Sequence, residues 1–363
     1  MKTVYCPEKV IIFLLSGLGD TLMFTPALRM MRLVWNHAHI AALTMRASER
    51  DVLQYNRDLN RVFFWPFFQR SQAANLKFIA RFRKMRFDAS ILPCPSNRIH
   101  YNIASFLCGA RTRVGFHYLQ QSRCNLDFLN TILFPHRDHV HNAEHNIALV
   151  ESLSAVRRQD VVGWSAKLSL PTIAQDRVEA DRFLEEKQLK NGRCVGLHIS
   201  SSRAKHMERK CWSKEHFLEL IQVLRLRHQN LKFILFCGEE DFPESDWLSR
   251  QDEADLHLAL KLPIRTVAEI IRSCCLFITN DSGLLHVASI METPTIAIFG
   301  PTNPRRSGPW MMNAAEVVRT GISCSPCFYH TSHDLTCPAQ LNFACLSQLS
   351  ARAVAEIAER LLK

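Results

Sequence analysis

Residues 276–310, LFITNDSGLLHVASIMETPTIAIFGPTNPRRSGPW, decide the fold. Two short apolar runs, Leu276–Thr279 and Thr295–Phe299, read as strands on either side of a helix that opens on Asn280-Asp281-Ser282-Gly283. A helix start carries backbone N–H groups without intrahelical partners and about half an elementary positive charge, and a glycine there lets a ligand come close to the backbone. The stretch therefore reads as an anion cradle at a strand's carboxyl end, where open α/β sheets bind their ligands. Asp281 and Ser282 are also ordinary N-cap residues, so a capped helix between two buried strands is the competing reading.

At the other end of the chain, KVIIFLLSGLGDTLMFTPALRMMR (9–32) reads as a buried strand, a glycine turn and a helix. Val10 to Leu15 is apolar throughout, as expected of a parallel strand covered on both faces. Gly17 and Gly19 supply the turn, and Thr25-Pro26 reads as N-cap and first residue of the helix proper. This puts Asp20 at the top of the sheet. The dinucleotide fingerprint is incomplete, because no third glycine follows at the required spacing.

Between these ends, strand-like runs at His39–Thr44, Arg61–Trp65, Ala89–Pro93, Val195–Ser200 and Lys232–Cys237 alternate with helical patterns. Such alternation predicts parallel sheets wound with helices, and 363 residues suit two domains of this kind. A boundary is expected near residue 170, beside Pro171, with domains 1–170 and 171–346 and an amphipathic helix in 347–363. No apolar run reaches the ~18 residues of a membrane span, and Val10–Leu15 is too short for a secretory segment, so a cytoplasmic location is expected. The odd count of 13 cysteines favours reduced thiols.

Taken together, Ser16-Gly17-Leu18-Gly19-Asp20 with Thr25-Pro26-Ala27-Leu28, and Asn280-Asp281-Ser282-Gly283-Leu284-Leu285-His286 with Phe299-Gly300-Pro301-Thr302-Asn303-Pro304, resemble glycosyltransferase family 9, the ADP-heptose:lipopolysaccharide heptosyltransferases. Arg113-Val114-Gly115-Phe116, the helix from His141 to Leu149 and Lys210-x-Trp212 fall between them in matching order. The resemblance implies the GT-B fold, two Rossmann-like domains facing across a cleft. The N-terminal one would bind the acceptor, the C-terminal one the nucleotide sugar, and the last helix would cross back to the first domain. It also implies an inverting transfer of heptose from ADP-heptose to the inner core of lipopolysaccharide. A relative with another acceptor, such as a protein serine, or with another nucleotide sugar is the close alternative.

An inverting transfer needs a base for the acceptor hydroxyl and positive charge for the departing diphosphate. The resemblance assigns the base to Asp20, against a helix-cap role, and the positive charge to Lys210 and the helix start at Asp281-Ser282-Gly283. Arg203, Lys205 and Arg209 lie in the same basic loop as alternatives to Lys210. Ser200 and Ser201 would offer hydroxyls to the diphosphate, and His286 faces the same helix start. For the nucleoside, Glu239 or Glu240 would hold the ribose and Leu262 would pack on adenine. Arg46, Arg50, Arg98, Arg111 and Arg113 are acceptor-side candidates. No cofactor is expected.

A net charge of +11 predicts anionic company. From Arg61 to Phe87 there are seven basic residues and no acidic one, interleaved with Phe63, Phe64, Trp65, Phe67, Phe68, Phe78, Phe82 and Phe87. Such a segment suits a surface resting on the anionic lipids of the inner membrane's cytoplasmic face, near a lipid-linked saccharide acceptor; the competing reading is a strand and a solvated amphipathic helix. A basic nucleic-acid-binding protein is the alternative from another class, but no nucleic-acid module is recognisable. Cys324, Cys327, Cys337 and Cys345 follow a C-x2-C-x9-C-x7-C pattern whose later spacings are irregular for structural zinc, so reduced, mostly buried thiols are expected, with a tetrathiolate structural zinc as the alternative.

Overall fold

The computed structural model describes residues 5–96, 98–119, 125–190, 192–202, 204–238, 242–251, 256–329 and 334–363, without side chains at 204 and 205. The chain divides into two compact units, with the division between Pro171 and Thr172.

Unit 1 runs β1 (Lys9–Leu14), α1 (Leu18–Val34), β2 (His39–Thr44), α2 (Ala47–Leu53), β3 (Arg61–Phe64), α3 (Gln72–Arg83), β4 (Ala89–Ile91), α4 (Ile99–Leu107), β5 (Thr112–His117), β6 (Ile132–Pro135) and α5 (Asn142–Ser154). Its strands form one parallel sheet in the order β3-β2-β1-β4-β5-β6. The apolar run Val10–Leu15 is fully buried, as a central strand covered by helices on both faces must be.

Unit 2 runs α6 (Ala174–Glu186), β7 (Arg193–His198), α7 (Lys214–Arg227), β8 (Leu231–Cys237), α8 (Phe242–Gln251), β9 (Leu256–Leu260), α9 (Ile264–Ser273), β10 (Leu276–Asn280), α10 (Gly283–Met291), β11 (Thr295–Ile298), α11 (Pro304–Ser307), β12 (Ala315–Val318), α12 (Ala344–Ser347) and α13 (Ala351–Leu361). Its sheet, β12-β11-β10-β7-β8-β9, is again parallel and repeats the winding of the first. In both sheets the chain starts in the middle, builds outward to one side, then returns to build the other. The winding thus reverses between β1 and β4 in unit 1 and between β7 and β10 in unit 2. At such a switch point the loops leave in opposite directions and open a crevice at the strands' carboxyl ends.

Three expectations are corrected. The first helix begins at Leu18, with Gly17 as its N-cap residue, and runs through Thr25-Pro26. Pro26 has no N–H for the Leu22 carbonyl, and the Thr25 hydroxyl donates to that carbonyl instead, at 2.7 Å, so the helix continues. Asp20 therefore stands in the first turn of α1. Second, the segment 347–363, expected to cross back, belongs to unit 2: Val354, Ala355 and Ala358 of α13 enter the cluster formed by Phe217, Leu220 and Leu224 of α7, and Trp212 Nε1 donates to the Leu349 carbonyl at 2.9 Å. Third, most aromatics of 61–87 are core. Phe82 and Phe87 are buried, Phe63, Trp65, Phe67 and Phe78 pack against the same cluster, and Trp65 stacks on Phe78 at 4.4 Å. Phe68 stands out at 72% exposed.

Candidate functional site

In unit 2 the switch point brings together the ends of β7 and β10. Asn280 fixes the geometry: its amide donates to the Ile199 carbonyl at 2.7 Å, and its Oδ1 accepts from the Trp212 backbone N–H at 2.9 Å. One side chain thereby ties β10 to both ends of the loop that carries Ser200, Ser201 and Lys210. Lys210 ends a 3-10 turn (Ala204–Lys210) and places Nζ 2.7 Å from Asp281 Oδ2, with both side chains almost fully buried. Burial works to raise the Asp281 carboxyl, but the Lys210 ammonium, with Thr302 and His286 adding to it, outweighs burial and holds the group below its ordinary value.

Ser282 occupies the N-cap position of α10 without a side-chain cap bond. Its hydroxyl turns instead to His198 Nδ1 at 2.9 Å and to Thr279 Oγ1 at 3.1 Å. Ser200 Oγ meets the other ring nitrogen of His198 at 3.2 Å, and Ser201 Oγ donates to the Asp281 carbonyl at 3.3 Å. The Leu285 N–H donates to the Ser282 carbonyl at 3.3 Å, and the amides of Gly283 and Leu284 receive no side-chain cap from Ser282 and point, with the helix dipole, at the strand ends. Hydroxyls, a lysine with donors beyond the one Asp281 takes, and uncapped amides are the groups that bind a diphosphate. His286 is buried in the first turn of α10. His198, which the sequence offered only as a strand residue, is the hub of this cluster. A histidine at a strand end carries no local signal of such a role.

Leu262 lies half-buried just past the carboxyl end of β9. Glu239, Glu240 and Arg203 lie outside the described residues, as does the side chain of Lys205. Arg209 Nη1 donates to the Leu335 carbonyl at 3.4 Å.

In unit 1 the cluster stands at the carboxyl ends of β1 and β2. Asp20 Oδ2 and Arg46 Nη1 both hang over Gly17, 3.8 and 3.9 Å from where a Cβ on that residue would stand, and a φ of +156° there suits glycine. Arg46 is the N-cap residue of α2, and Arg98 that of α4. The Tyr101 hydroxyl donates to the Leu15 carbonyl at 2.8 Å, and burial pushes its pKa up to about 12. Arg50 is held by Asp51 and lies over the Phe64 ring at 5.1 Å. Arg111 and Arg113 stand apart from the cluster, at the amino end of β5. Arg113 Nε and Nη1 are bonded to the Leu129 and Ala110 carbonyls at 2.7 and 2.8 Å, which makes it a structural tie.

The thiols of Cys324, Cys327, Cys337 and Cys345 lie near one another. Burial, then the thiols of Cys327, Cys324 and Cys337, push Cys345 up to about 11. Among the described residues no group of three or more His, Cys, Asp or Glu is arranged to hold a metal ion.

Two Rossmann-like units in succession are the components of the GT-B fold. The same fold is seen over 100% of this chain in the glycosyl transferase family 9 structure from Veillonella parvula, with TM-score 0.74, 22% identity and 98% of that chain covered. It is seen over 98% of both chains in Escherichia coli ADP-heptose lps heptosyltransferase II, with TM-score 0.71 and 19% identity. The profile of glycosyltransferase family 9 (heptosyltransferase) matches residues 76–336, and the chain belongs to that family. In sequence it is 31% identical over 178 residues to Lipooligosaccharide heptosyltransferase 2 of Campylobacter jejuni, which is 48% of this chain and 53% of that protein. The match thus spans about half the length of that curated relative.

Proposed function

We propose that this chain is an inverting heptosyltransferase that transfers heptose from ADP-heptose to the inner core of lipopolysaccharide. The observation that carries the reading is the diphosphate-binding set at the β7/β10 switch point: Lys210 held by Asp281, the hydroxyls of Ser200 and Ser201, and the uncapped start of α10. Family membership supports the sugar class, since relatives of this chain are named heptosyltransferases of lipooligosaccharide and lipopolysaccharide, and one solved structure with the same fold is named for ADP-heptose.

In this reaction Asp20 takes the proton of the acceptor hydroxyl. The freed oxygen forms a bond to the anomeric carbon as the bond from that carbon to the ADP oxygen breaks, which inverts the centre. The negative charge that accumulates on the diphosphate meets the Lys210 ammonium and the α10 amides, which are in place before the reaction and need no reorganisation. Asp281 keeps Lys210 in one position, and His198 holds the Ser282 and Ser200 hydroxyls. Arg46 and Arg98, beside Asp20, would receive an anionic acceptor. The exposed Phe68 and Leu76, with Arg70, Lys77 and Arg81 beside them, offer a face for the cytoplasmic surface of the inner membrane, where a lipid-linked acceptor is found.

The test is product mass spectrometry with ADP-heptose and purified core acceptors, for the native chain and for Asp20→Asn. Transfer to a lipid-linked saccharide that falls at least ~10²-fold in the variant, with ADP binding retained, is the expected outcome. Transfer only to another acceptor, or full activity in the variant, would overturn the substrate or the base assignment respectively.

A further inference from the structure

Beside the Asp20 cluster lies a carboxyl group that the reaction above does not use. Glu49, in α2, is 0% exposed. Its Oε2 accepts from the backbone N–H groups of Met45 and Arg46, both at 3.2 Å, which locks the turn between β2 and α2. Its Oε1 has no hydrogen-bond partner among the described residues. A buried carboxylate needs several donors to replace water, and half of this one lacks them.

We propose that Glu49 is a positioning residue for Asp20: by fixing the β2–α2 turn it holds the Arg46 guanidinium over Gly17 beside Asp20, and its own charge state sets how strongly Arg46 is shared between the two carboxyls. This rests on the reading of Asp20 as the base. The groups facing Glu49 are Asp20 from α1, Arg46 at the start of α2, and Tyr101 from α4, which itself lies near the Arg98 charge. Burial pushes the Glu49 carboxyl up to about 7; the Met45 amide and then Arg46 oppose burial, and Asp20 reinforces it. Tyr101 keeps its proton throughout this range and cannot take part in the exchange.

The consequence follows from charge balance. Below neutrality Glu49 is uncharged and adds no second negative charge beside Arg46 and Asp20, so the Asp20 carboxylate is better stabilised and a weaker base. As pH rises through about 7, Glu49 gives up its proton and a second negative charge competes for the same guanidinium. Asp20 then becomes the stronger base, and turnover rises.

Glu49→Gln keeps the acceptor for the two amides and removes the titration, whereas Glu49→Ala removes both. Two measurements test the proposal. In the pH profile of kcat, the native enzyme should rise roughly threefold to tenfold through neutrality, Glu49→Gln should stay level, and Glu49→Ala should fall in kcat with the donor KM unchanged. In 13C-labelled protein, the Asp20 side-chain resonance, assigned with Asp20→Asn, should show a second inflection near pH 7 that Glu49→Gln lacks. The resonance reports on the coupling even if no ADP-sugar is turned over, a result that would defeat the transferase reading and leave this one standing. Identical Asp20 titrations in native protein and Glu49→Gln would overturn the proposal, whatever the activity.

Discussion

Replacing Lys210 by methionine isolates the interaction at the centre of the unit 2 site. The ammonium lies 2.7 Å from Asp281 Oδ2, and the side chains are only 10% and 8% exposed, so water cannot take over when one partner is removed. Methionine fills a similar volume but leaves a buried carboxylate without its counter-charge. Breaking such a pair from one side destabilises by about 3–5 kcal/mol, because the remaining charge is uncompensated. In a domain of this size that lowers the melting temperature by roughly 6–20 °C. Asp281 has a depressed pKa in the folded state, so in the native protein its contribution is present above the ordinary carboxylate value and is lost as pH falls through the folded value. In Lys210→Met that acid-side loss should disappear, because a protonated Asp281 is then the better-tolerated form. The double variant Lys210→Met with Asp281→Asn should be destabilised by much less than the sum of the single changes. The assay is denaturant unfolding followed through the buried Trp212, repeated from pH 3 to 8. A single variant within about 0.5 kcal/mol of the native protein, or strict additivity in the double, would refute the reasoning. Activity lost in any Lys210 variant must accordingly be measured per folded molecule.

Glu49→Gln should also change stability: the native carboxyl, raised to about 7, makes the fold more stable below about pH 4.5, and that advantage is lost as pH rises through about 7, a swing of roughly 3 kcal/mol. Melting curves of Glu49→Gln should lack this slope, and an unchanged slope would count against a buried, protonated Glu49. Gly300→Ala would put a Cβ 2.5 Å from Leu346 Cγ and should destabilise by about 1–3 kcal/mol, with Leu346→Ala in the same chain recovering part of the loss by denaturant titration. Thr25→Val keeps the shape of the side chain but leaves the Leu22 carbonyl and the Ser169 N–H, now bonded at 2.7 and 2.9 Å, without partners. It should be destabilised by about 2–4 kcal/mol, and a change under 0.5 kcal/mol in the same titration would show that the helix does not need the threonine to pass Pro26.

Features that depend on neighbours along the chain could be read from the residues in order. The runs that became β1, β2, β7, β8, β10 and β11 are apolar on both faces because central parallel strands are covered on both, and a pattern that strong survives any tertiary context. The strand-to-helix turn at Asn280–Gly283 is likewise local. The edge strands β6, β9 and β12 and the neighbouring β5 were missed as strands, because they are half-exposed and carry Pro135, His257, Glu316 and Arg113 within short runs that lack the continuous apolar signal. The start of α1 was misplaced because Thr25-Pro26 has the composition of a helix beginning, and only the Thr25 hydroxyl on the Leu22 carbonyl permits the helix to pass through it. Which charges meet depends on packing between elements far apart in the chain. Lys210 reaches Asp281 across 71 residues, and His198 reaches Ser282 across 84. Arg113, an acceptor-side candidate in the sequence, stands at the amino end of β5, opposite the carboxyl ends where Asp20 lies. Glu49 looks like any surface glutamate in a helix until the packing of α2 on α1 removes it from water. Hydrogen bonds and ion pairs act over a few ångströms, so the chemistry within each unit is set by the winding of its own sheet, which brings distant strand ends together at that sheet's switch point.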